Sequence, residues 1–232
     1  MTGVEEQMEI FKLVGGLLRK KTECYVIGGS AMLFYGFKTA TKDVDLVFTN
    51  EVERKHFIET LKETGFARKS HKTLKHNADE GCILMERKND RFDLFLTNII
   101  TTKFSHGMVA RIREKHEFSN LVVNVVSPED IIALKCATDR AGDRKDAVDI
   151  INSRKINWDV ILEEAKWQAA NGKKAFVVLL FDFVDDLKDN YKVDIPQDFI
   201  KELRKEYKNQ LIKILGQEKY DEMAKKERKK NS

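Results

Sequence analysis

Two aspartates, Asp43 and Asp45, stand one residue apart in the otherwise apolar stretch TKDVDLVF at positions 41–48. In an extended chain the side chains alternate between two faces, so both carboxylates point the same way, about 7 Å apart along the strand. At that spacing they repel each other unless they are solvated, protonated or bridged by a cation. The pair is either a solvated strand end or part of a cation site, and its neighbours decide between these interpretations.

A Gly-Gly-Ser turn is separated from this pair by twelve residues, and it follows a predicted strand at 23–27 and precedes a short apolar helix. Gly28 and Gly29 let the backbone approach a ligand closely, Ser30 adds a hydroxyl, and the N–H groups at the start of a helix attract an anion. The turn is not a P-loop, because the Gly-Lys-Thr/Ser order is absent. Carboxylate oxygens suit Mg²⁺, so the stretch predicts a phosphate site that faces a magnesium site.

A third acid, Asp93, lies in the middle of the apolar segment RFDLFL. If this segment is a strand beside the strand of Asp43 and Asp45, the three carboxylates converge on one or two ions, as in two-metal sites for displacement at phosphorus. Asp93 would then be a metal ligand and a candidate general base. Three other acids compete for the role of third carboxylate: Asp79, Glu86 and Asp90.

The composition bounds the class of protein. With 232 residues, of which 42% are hydrophobic, the chain can bury a core in one large or two small domains. The absence of an apolar run of eighteen residues and of a signal-peptide pattern predicts a soluble, cytoplasmic protein without a membrane partner. Three widely spaced cysteines indicate reduced thiols rather than a disulfide framework. The formal charge of +4 is concentrated in residues 201–232, which form either a phosphate-binding or a solubilising surface.

The hydrophobic pattern predicts an α/β front half, 1–126, followed by a helical back half, 127–232. In the front half we expect helices at 4–20 and 51–64, and strands at 23–27, 82–87, 91–97 and 120–126 in addition to the strand of Asp43 and Asp45. The segment KND predicts a hairpin between 82–87 and 91–97. The stretch 101–119 gives no clear pattern.

In the back half, Ser-Pro-Glu-Asp at 127–130 predicts the start of a helix that runs to about Ala141. Gly142 is expected to end this helix, and Asp143 with Asp146 to cap the next one. Further helices are predicted at 157–170, 173–189, 197–215 and 218–230.

The set Gly28-Gly29-Ser30, twelve residues, Asp43-Val-Asp45-Leu and a later Asp93 strand resembles the nucleotidyltransferase fold of the DNA polymerase beta superfamily. The resemblance implies a mixed sheet flanked by helices. It also implies phosphate contacts at the Gly-Ser turn and Mg²⁺, with Mn²⁺ as an alternative, on the three aspartates.

The segment SPEDIIALKCATDRAGDRKDAVDI is similar to the helical part that follows the catalytic sheet in prokaryotic members related to abortive-infection toxins. This resemblance implies that Lys135 reaches the triphosphate. Its alternative is a surface lysine with a buried stem. Lys38 and Lys42 flank the acids and either offset their charge, bind phosphate or face solvent.

Three functions stay open on these residues. The first is an Mg-dependent nucleotidyltransferase that moves a nucleoside monophosphate from a triphosphate such as ATP to a hydroxyl, with release of pyrophosphate. The acceptor implied by the resemblance is an RNA 3′ end, such as that of transfer RNA, a partner protein's side chain, as in toxin–antitoxin pairs, or an aminoglycoside. The second is a nucleotide-binding or partner-binding module of the same fold without turnover. The third is an α/β protein whose basic helical half binds other macromolecules.

Overall fold

The structure, a computed structural model, describes residues 3–69, 81–138 and 140–230. Asp79, one of the alternative third acids, lies outside the described residues. The chain forms two compact units, Met1–Leu134 and Lys135–Ser232. The boundary between them falls inside a helix, and the division of labour between a catalytic domain at 1–126 and a helical domain at 127–232 stays a prediction.

The first unit is built on one mixed sheet. In its described part, seven strands follow one another in the order β3-β4-β5-β2-β1-β9-β8, and two short strands, β6 and β7, extend from β5. The elements in chain order are α1 (Val4–Leu17), β1 (Thr22–Val26), α2 (Gly28–Phe34), β2 (Val44–Phe48), α3 (Glu51–Glu63), β3 (Ala67–Arg68), β4 (Cys82–Arg87), β5 (Asp90–Leu96), β6 (Asn98–Ile99), β7 (Thr102–Lys103), α4 (His106–Ala110), β8 (Glu114–Phe118), β9 (Leu121–Val125) and α5 (Pro128–Cys136).

One face of the sheet is apolar and packs against α1 and α3. Phe92 of β5 is fully buried there, with ring centroids 6.3 Å from Phe11 of α1 and 6.0 Å from Phe57 of α3. Because side chains alternate along a strand, Asp93 faces the other side of the sheet. The alternation in RFDLFL thus separates a helix-covered core from the face that carries the acids.

The stretch that gave no clear pattern, 101–119, forms three short elements: β7, α4 and β8. The hydroxyl of Ser105 accepts a hydrogen bond of 3.0 Å from the backbone N–H of Met108 and so caps α4. Strand β8, EKHEF, pairs with β9 on one side only. Its charged residues suit an exposed edge strand, which is why the sequence shows little apolar alternation there.

The junction between α5 and α6 (Ala141–Ser153) corrects two expectations. Helix α5 ends at Cys136 rather than near Ala141, and Gly142 lies in the first turn of α6 instead of ending α5. Both the backbone N–H and the hydroxyl of Thr138 donate to the carbonyl of Lys135, which closes α5 early.

The predicted cap by Asp143 and Asp146 is also wrong. The N-cap of α6 is Arg140, which makes no side-chain cap. The two carboxylates instead bind the ammonium group of Lys135, at 2.8 Å and 2.6 Å. Both carboxylates therefore pair with the buried ammonium group of Lys135 instead of capping the helix, which a local cap rule does not anticipate.

The second unit is helical, as predicted. Its further helices are α7 (Trp158–Asn171), α8 (Phe176–Asp189), α9 (Gln197–Leu215) and α10 (Gln217–Lys230). Phe176, Leu180, Phe183 and Leu187 recur at helical spacing on the buried side of α8. Among the described residues, no helix is long and apolar enough to cross a membrane.

Candidate active site

The acid-bearing strands β2 and β5 lie side by side and run parallel. Asp45 and Asp93 are direct Cα partners in this pairing, on strands that are about 4.8 Å apart. The two side chains therefore emerge next to each other on the same face of the sheet. The strand of Asp93 thus lies beside the strand of Asp45, which is the condition on which the expected convergence of the acids depends. Asp43, expected in the same strand, lies in the bend that precedes β2.

Gly28 lies against the carboxylate of Asp45. Strand β1 is antiparallel to β2, so the end of β1 meets the start of β2, and the backbone N–H of Ile27 donates to the carbonyl of Asp45 at 3.1 Å. Gly28 has φ +60°, and a Cβ atom there would lie 2.8 Å from Oδ2 of Asp45. Only glycine satisfies both the backbone conformation and this close approach. The three residues Gly28, Gly29 and Ser30 form the first turn of α2, not a turn that precedes it.

Gly29 and Ser30 hold the segment that leads into the acids. A Cβ atom at Gly29 would lie 2.6 Å from the hydroxyl of Thr41. Ser30 is fully buried; its hydroxyl donates to the carbonyl of Asp43 at 3.1 Å and accepts from the side-chain amide of Gln7 at 3.2 Å. Ser30 thus fixes the backbone of Asp43, and its contact with a phosphate stays a prediction.

Arg91 forms an ion pair with Asp93 that was not predicted from the sequence. Its Nε and Nη2 atoms each lie 2.6 Å from a different oxygen of the carboxylate. Burial raises the pKa of Asp93 above its ordinary value; Arg91 opposes this effect, while the charges of Asp43 and Glu86 add to it. The only signal in the sequence is the spacing of two residues, which places both side chains on one face of β5.

The other described candidates for the third carboxylate are held elsewhere. Asp90 is one position from Arg91 and three from Asp93, so its side chain lies on the opposite face of β5, where it binds Arg87 at 3.2 Å. Glu86 belongs to β4, which does not adjoin β2, and binds Lys69 at 2.7 Å. Asp93 is the acid whose register matches Asp45.

Cys82 of β4 lies close enough to Asp45 and Asp93 for their charges to affect its thiol. Burial and the negative charges of Asp93 and Asp45 raise the pKa of its thiol to about 12. The thiol is therefore protonated near neutral pH, and it responds to both acids. Asp45 and Asp93 therefore both lie near Cys82.

The two predicted lysines have different surroundings. Lys42 is exposed, directly before Asp43. Lys135 is buried and belongs to the second unit, where its ammonium group binds Asp143 and Asp146. Phosphate contacts by Lys42 and Lys135 stay predictions.

The donor types suit a divalent cation such as Mg²⁺, since Asp43, Asp45 and Asp93 offer hard carboxylate oxygens. The missing Cβ of Gly28 leaves room beside one of these carboxylates. Within residues 3–69, 81–138 and 140–230, however, no three acidic, histidine or cysteine side chains are close enough together to enclose an ion. Asp45 and Asp93 thus suit a divalent cation in their residue type and in their strand register. In this structure the guanidinium of Arg91 is the positive charge that binds Asp93.

A mixed sheet with paired acids beside a glycine turn is the architecture of a nucleotidyltransferase. Residues 7–168 match the family described as nucleotidyl transferase of unknown function (DUF2204). The chain belongs to this family and is an enzyme that transfers a nucleotidyl group. The predicted nucleotidyltransferase class and the predicted fold class, a mixed sheet with a helical C-terminal half, are confirmed.

No curated protein matches the chain in sequence. Among solved structures, it is similar to the crystal structure of ANT(2″)-Ia in complex with adenylyl-2″-tobramycin. The two sequences are 13% identical, and the match covers 77% of this chain and 96% of that chain with a TM-score of 0.45.

Proposed function

We propose that this enzyme moves a nucleoside monophosphate from a nucleoside triphosphate, such as ATP, to an acceptor hydroxyl and depends on Mg²⁺ or Mn²⁺. The observation that carries the proposal is the direct pairing of Asp45 with Asp93 beside Gly28. Paired carboxylates at this separation suit a doubly charged ion bound to a polyphosphate. The proposed metal ligands are Asp43, Asp45 and Asp93.

In the proposed reaction the acceptor oxygen bonds to the α-phosphorus, and the bond to the bridging oxygen of the β-phosphate breaks. Pyrophosphate leaves with that electron pair, and the proton of the hydroxyl passes to a base. Asp93 is the proposed base, because its raised pKa makes it a stronger proton acceptor than an exposed aspartate. A bound divalent cation would neutralise the charge that develops on the phosphates.

Gly28 and Gly29 have the proposed role of admitting the phosphates. Neither residue has a side chain to screen the backbone at the start of α2. Ser30 helps to hold the acids in position, because its hydroxyl donates a hydrogen bond to the carbonyl of Asp43. Lys42, exposed next to the acids, is the proposed cationic contact in this unit, and Lys135 is the proposed contact in the second unit.

The proposed acceptor is an RNA 3′ end, for example of transfer RNA, or the side chain of a partner protein. The helical unit supports a role in binding the acceptor, because it contains a cavity of about 610 Å³. Cationic and small apolar side chains line the cavity together with the acid Glu206 and the amide Gln210, which suits a ligand with both polar and apolar groups. Its lining includes Lys166, Ala169, Ala170, Lys174 and Lys213.

The test is transfer of label from each α-labelled nucleoside triphosphate into total RNA and total protein, with and without Mg²⁺. We expect Asp43→Asn and Asp45→Asn each to reduce transfer by about a hundredfold or more, since each removes charge stabilisation in the transition state. Asp90→Asn is the matched control, because Asp90 lies on the same hairpin but binds Arg87 on the opposite face. Undiminished transfer in both Asp43→Asn and Asp45→Asn contradicts the proposal.

A further inference from the structure

Arg91 has no part in the proposed chemistry, yet its guanidinium lies on the carboxylate that would complete the cation site. Each oxygen of Asp93 receives one hydrogen bond of 2.6 Å, from Nε or Nη2 of Arg91. This two-point contact between a guanidinium and a carboxylate is the strongest form of such a pair. Asp93 is only 9% exposed, whereas the side chain of Arg91 is 32% exposed, so the guanidinium reaches the buried carboxylate from the solvent side.

We propose that Arg91 is a positioning residue that competes with the divalent cation for Asp93. Arg91 holds the carboxylate while no cation is bound, and it leaves Asp93 when the cation binds. This inference rests on the proposed function, because it assumes that Asp43, Asp45 and Asp93 bind the ion.

The balance of charge in the site supports competition. Asp43, Asp45 and Asp93 repel one another, and Arg91 compensates one of their three negative charges. A divalent cation on the same carboxylates would be repelled by this guanidinium at short range. One site of limited size therefore accommodates either Arg91 or the ion on Asp93.

A second partner for Arg91 is already in place. Glu86 of β4 is the direct Cα partner of Arg91 in the antiparallel pairing with β5. The carboxylate of Glu86 binds Lys69 in this structure. Because Glu86 lies on the same face as Arg91 and farther from β2 than Asp93 does, it can receive the guanidinium without entering the cation site.

The test is a calorimetric titration of the full chain with Mn²⁺ alone. We expect Arg91→Gln to bind Mn²⁺ about tenfold more tightly than the wild type, because a competing cation has been removed. The gain should vanish when Asp93→Asn is added to Arg91→Gln, since the competition acts through that carboxylate. Arg87→Gln is the matched control: it removes the same charge from the same hairpin but breaks a pair with Asp90 on the opposite face.

The variant Glu86→Gln tests separately whether Glu86 receives the guanidinium of Arg91. If Glu86 receives the guanidinium, Glu86→Gln weakens Mn²⁺ binding in the wild type and has no effect in the Arg91→Gln background. A weakening of equal size in both backgrounds contradicts this relay, because it would make Glu86 a direct ligand or a general source of negative charge.

Two outcomes separate this inference from the function on which it rests. If Asp45→Asn abolishes Mn²⁺ binding while a folded Arg91→Gln binds Mn²⁺ no more tightly than the wild type, the competition by Arg91 is overturned and the cation site stands. If Asp45→Asn leaves Mn²⁺ binding unchanged, the cation site itself is overturned, and the inference falls with it. Circular dichroism of each variant establishes that it is folded.

Discussion

Gly28 is the glycine that lies directly against a carboxylate of the site, and its substitution should damage catalysis more than stability. Gly28→Ala places a methyl group 2.8 Å from Oδ2 of Asp45 in a backbone conformation with φ +60°. We expect a loss of about 1–2 kcal/mol in stability from the backbone strain. Displacement of the carboxylate should lower kcat for nucleotidyl transfer by about a hundredfold.

Gly36→Ala is the matched control for this prediction. Gly36 also has a positive φ, +73°, but no described atom lies within 4 Å of the Cβ that alanine would add. The two variants should therefore lose similar stability in chemical unfolding and differ in kcat. Equal kcat values would show that the contact between Gly28 and Asp45 does not position the carboxylate.

The chemical residues could be predicted from the sequence to the extent that they obey local patterns. The apolar alternation identifies the strands of Asp45 and Asp93, but it also predicted Asp43 in the strand, whereas Asp43 lies in the bend before β2. Arg91 was missed although it lies only two residues from Asp93, on the same face of β5, whereas Gln7 was missed because its contact depends on tertiary structure. The amide of Gln7 meets Ser30 across 23 positions of the chain, and no spacing rule connects residues so far apart.

At the scale of elements, segments with clear alternation or turn residues were predicted well, and one helix boundary was not. The hairpin of β4 and β5 and the five-residue strand β2 follow from alternation and turn residues. The boundary between α5 and α6 was wrong because Lys135 binds Asp143 and Asp146, which a cap rule assigned to the helix start. Helix limits therefore depend here on a buried charge cluster that only the folded unit creates.

The strand that carries Asp93 is anchored by Phe92, and this anchor gives a prediction for the element. Phe92 is fully buried, and its ring lies between those of Phe11, Phe57 and Phe66, with centroids 5.3 to 6.3 Å away. Phe92→Ala should cost about 3–5 kcal/mol in urea unfolding, because it leaves a cavity under β5. Leu17→Ala, at a position that is 43% exposed, should change stability by no more than about 0.5 kcal/mol. A comparable, small loss in both variants would contradict the anchoring role.

At the scale of the whole molecule, both units combine an apolar core with ion pairs of low exposure. The first packs an aromatic core around Phe92 and contains the pair of Arg91 with Asp93. The second contains ion pairs with low exposure, such as Lys135 with Asp146 and Arg144 with Asp186. Because ion pairs change with pH and apolar contacts do not, the second unit should carry a pH dependence that can be assigned to particular residues.

Asp186 of α8 is the residue at which this pH dependence can be measured. Its carboxylate accepts hydrogen bonds from the side chains of Asn190 at 2.5 Å and Arg144 at 2.9 Å, and these bonds lower its pKa below the ordinary value. A lowered pKa in the folded state stabilises the protein above the unfolded-state pKa, and this contribution is lost as the pH falls through the folded-state pKa. Asp186→Asn should therefore lower the urea midpoint at pH 7, with a difference from the wild type that shrinks in acid. Asp185→Asn, at the exposed neighbouring position of the same helix, is the control, and its difference in urea midpoint from the wild type should not shrink in acid. If the difference between Asp186→Asn and the wild type stays the same in acid, the loss of stability comes from packing rather than from charge.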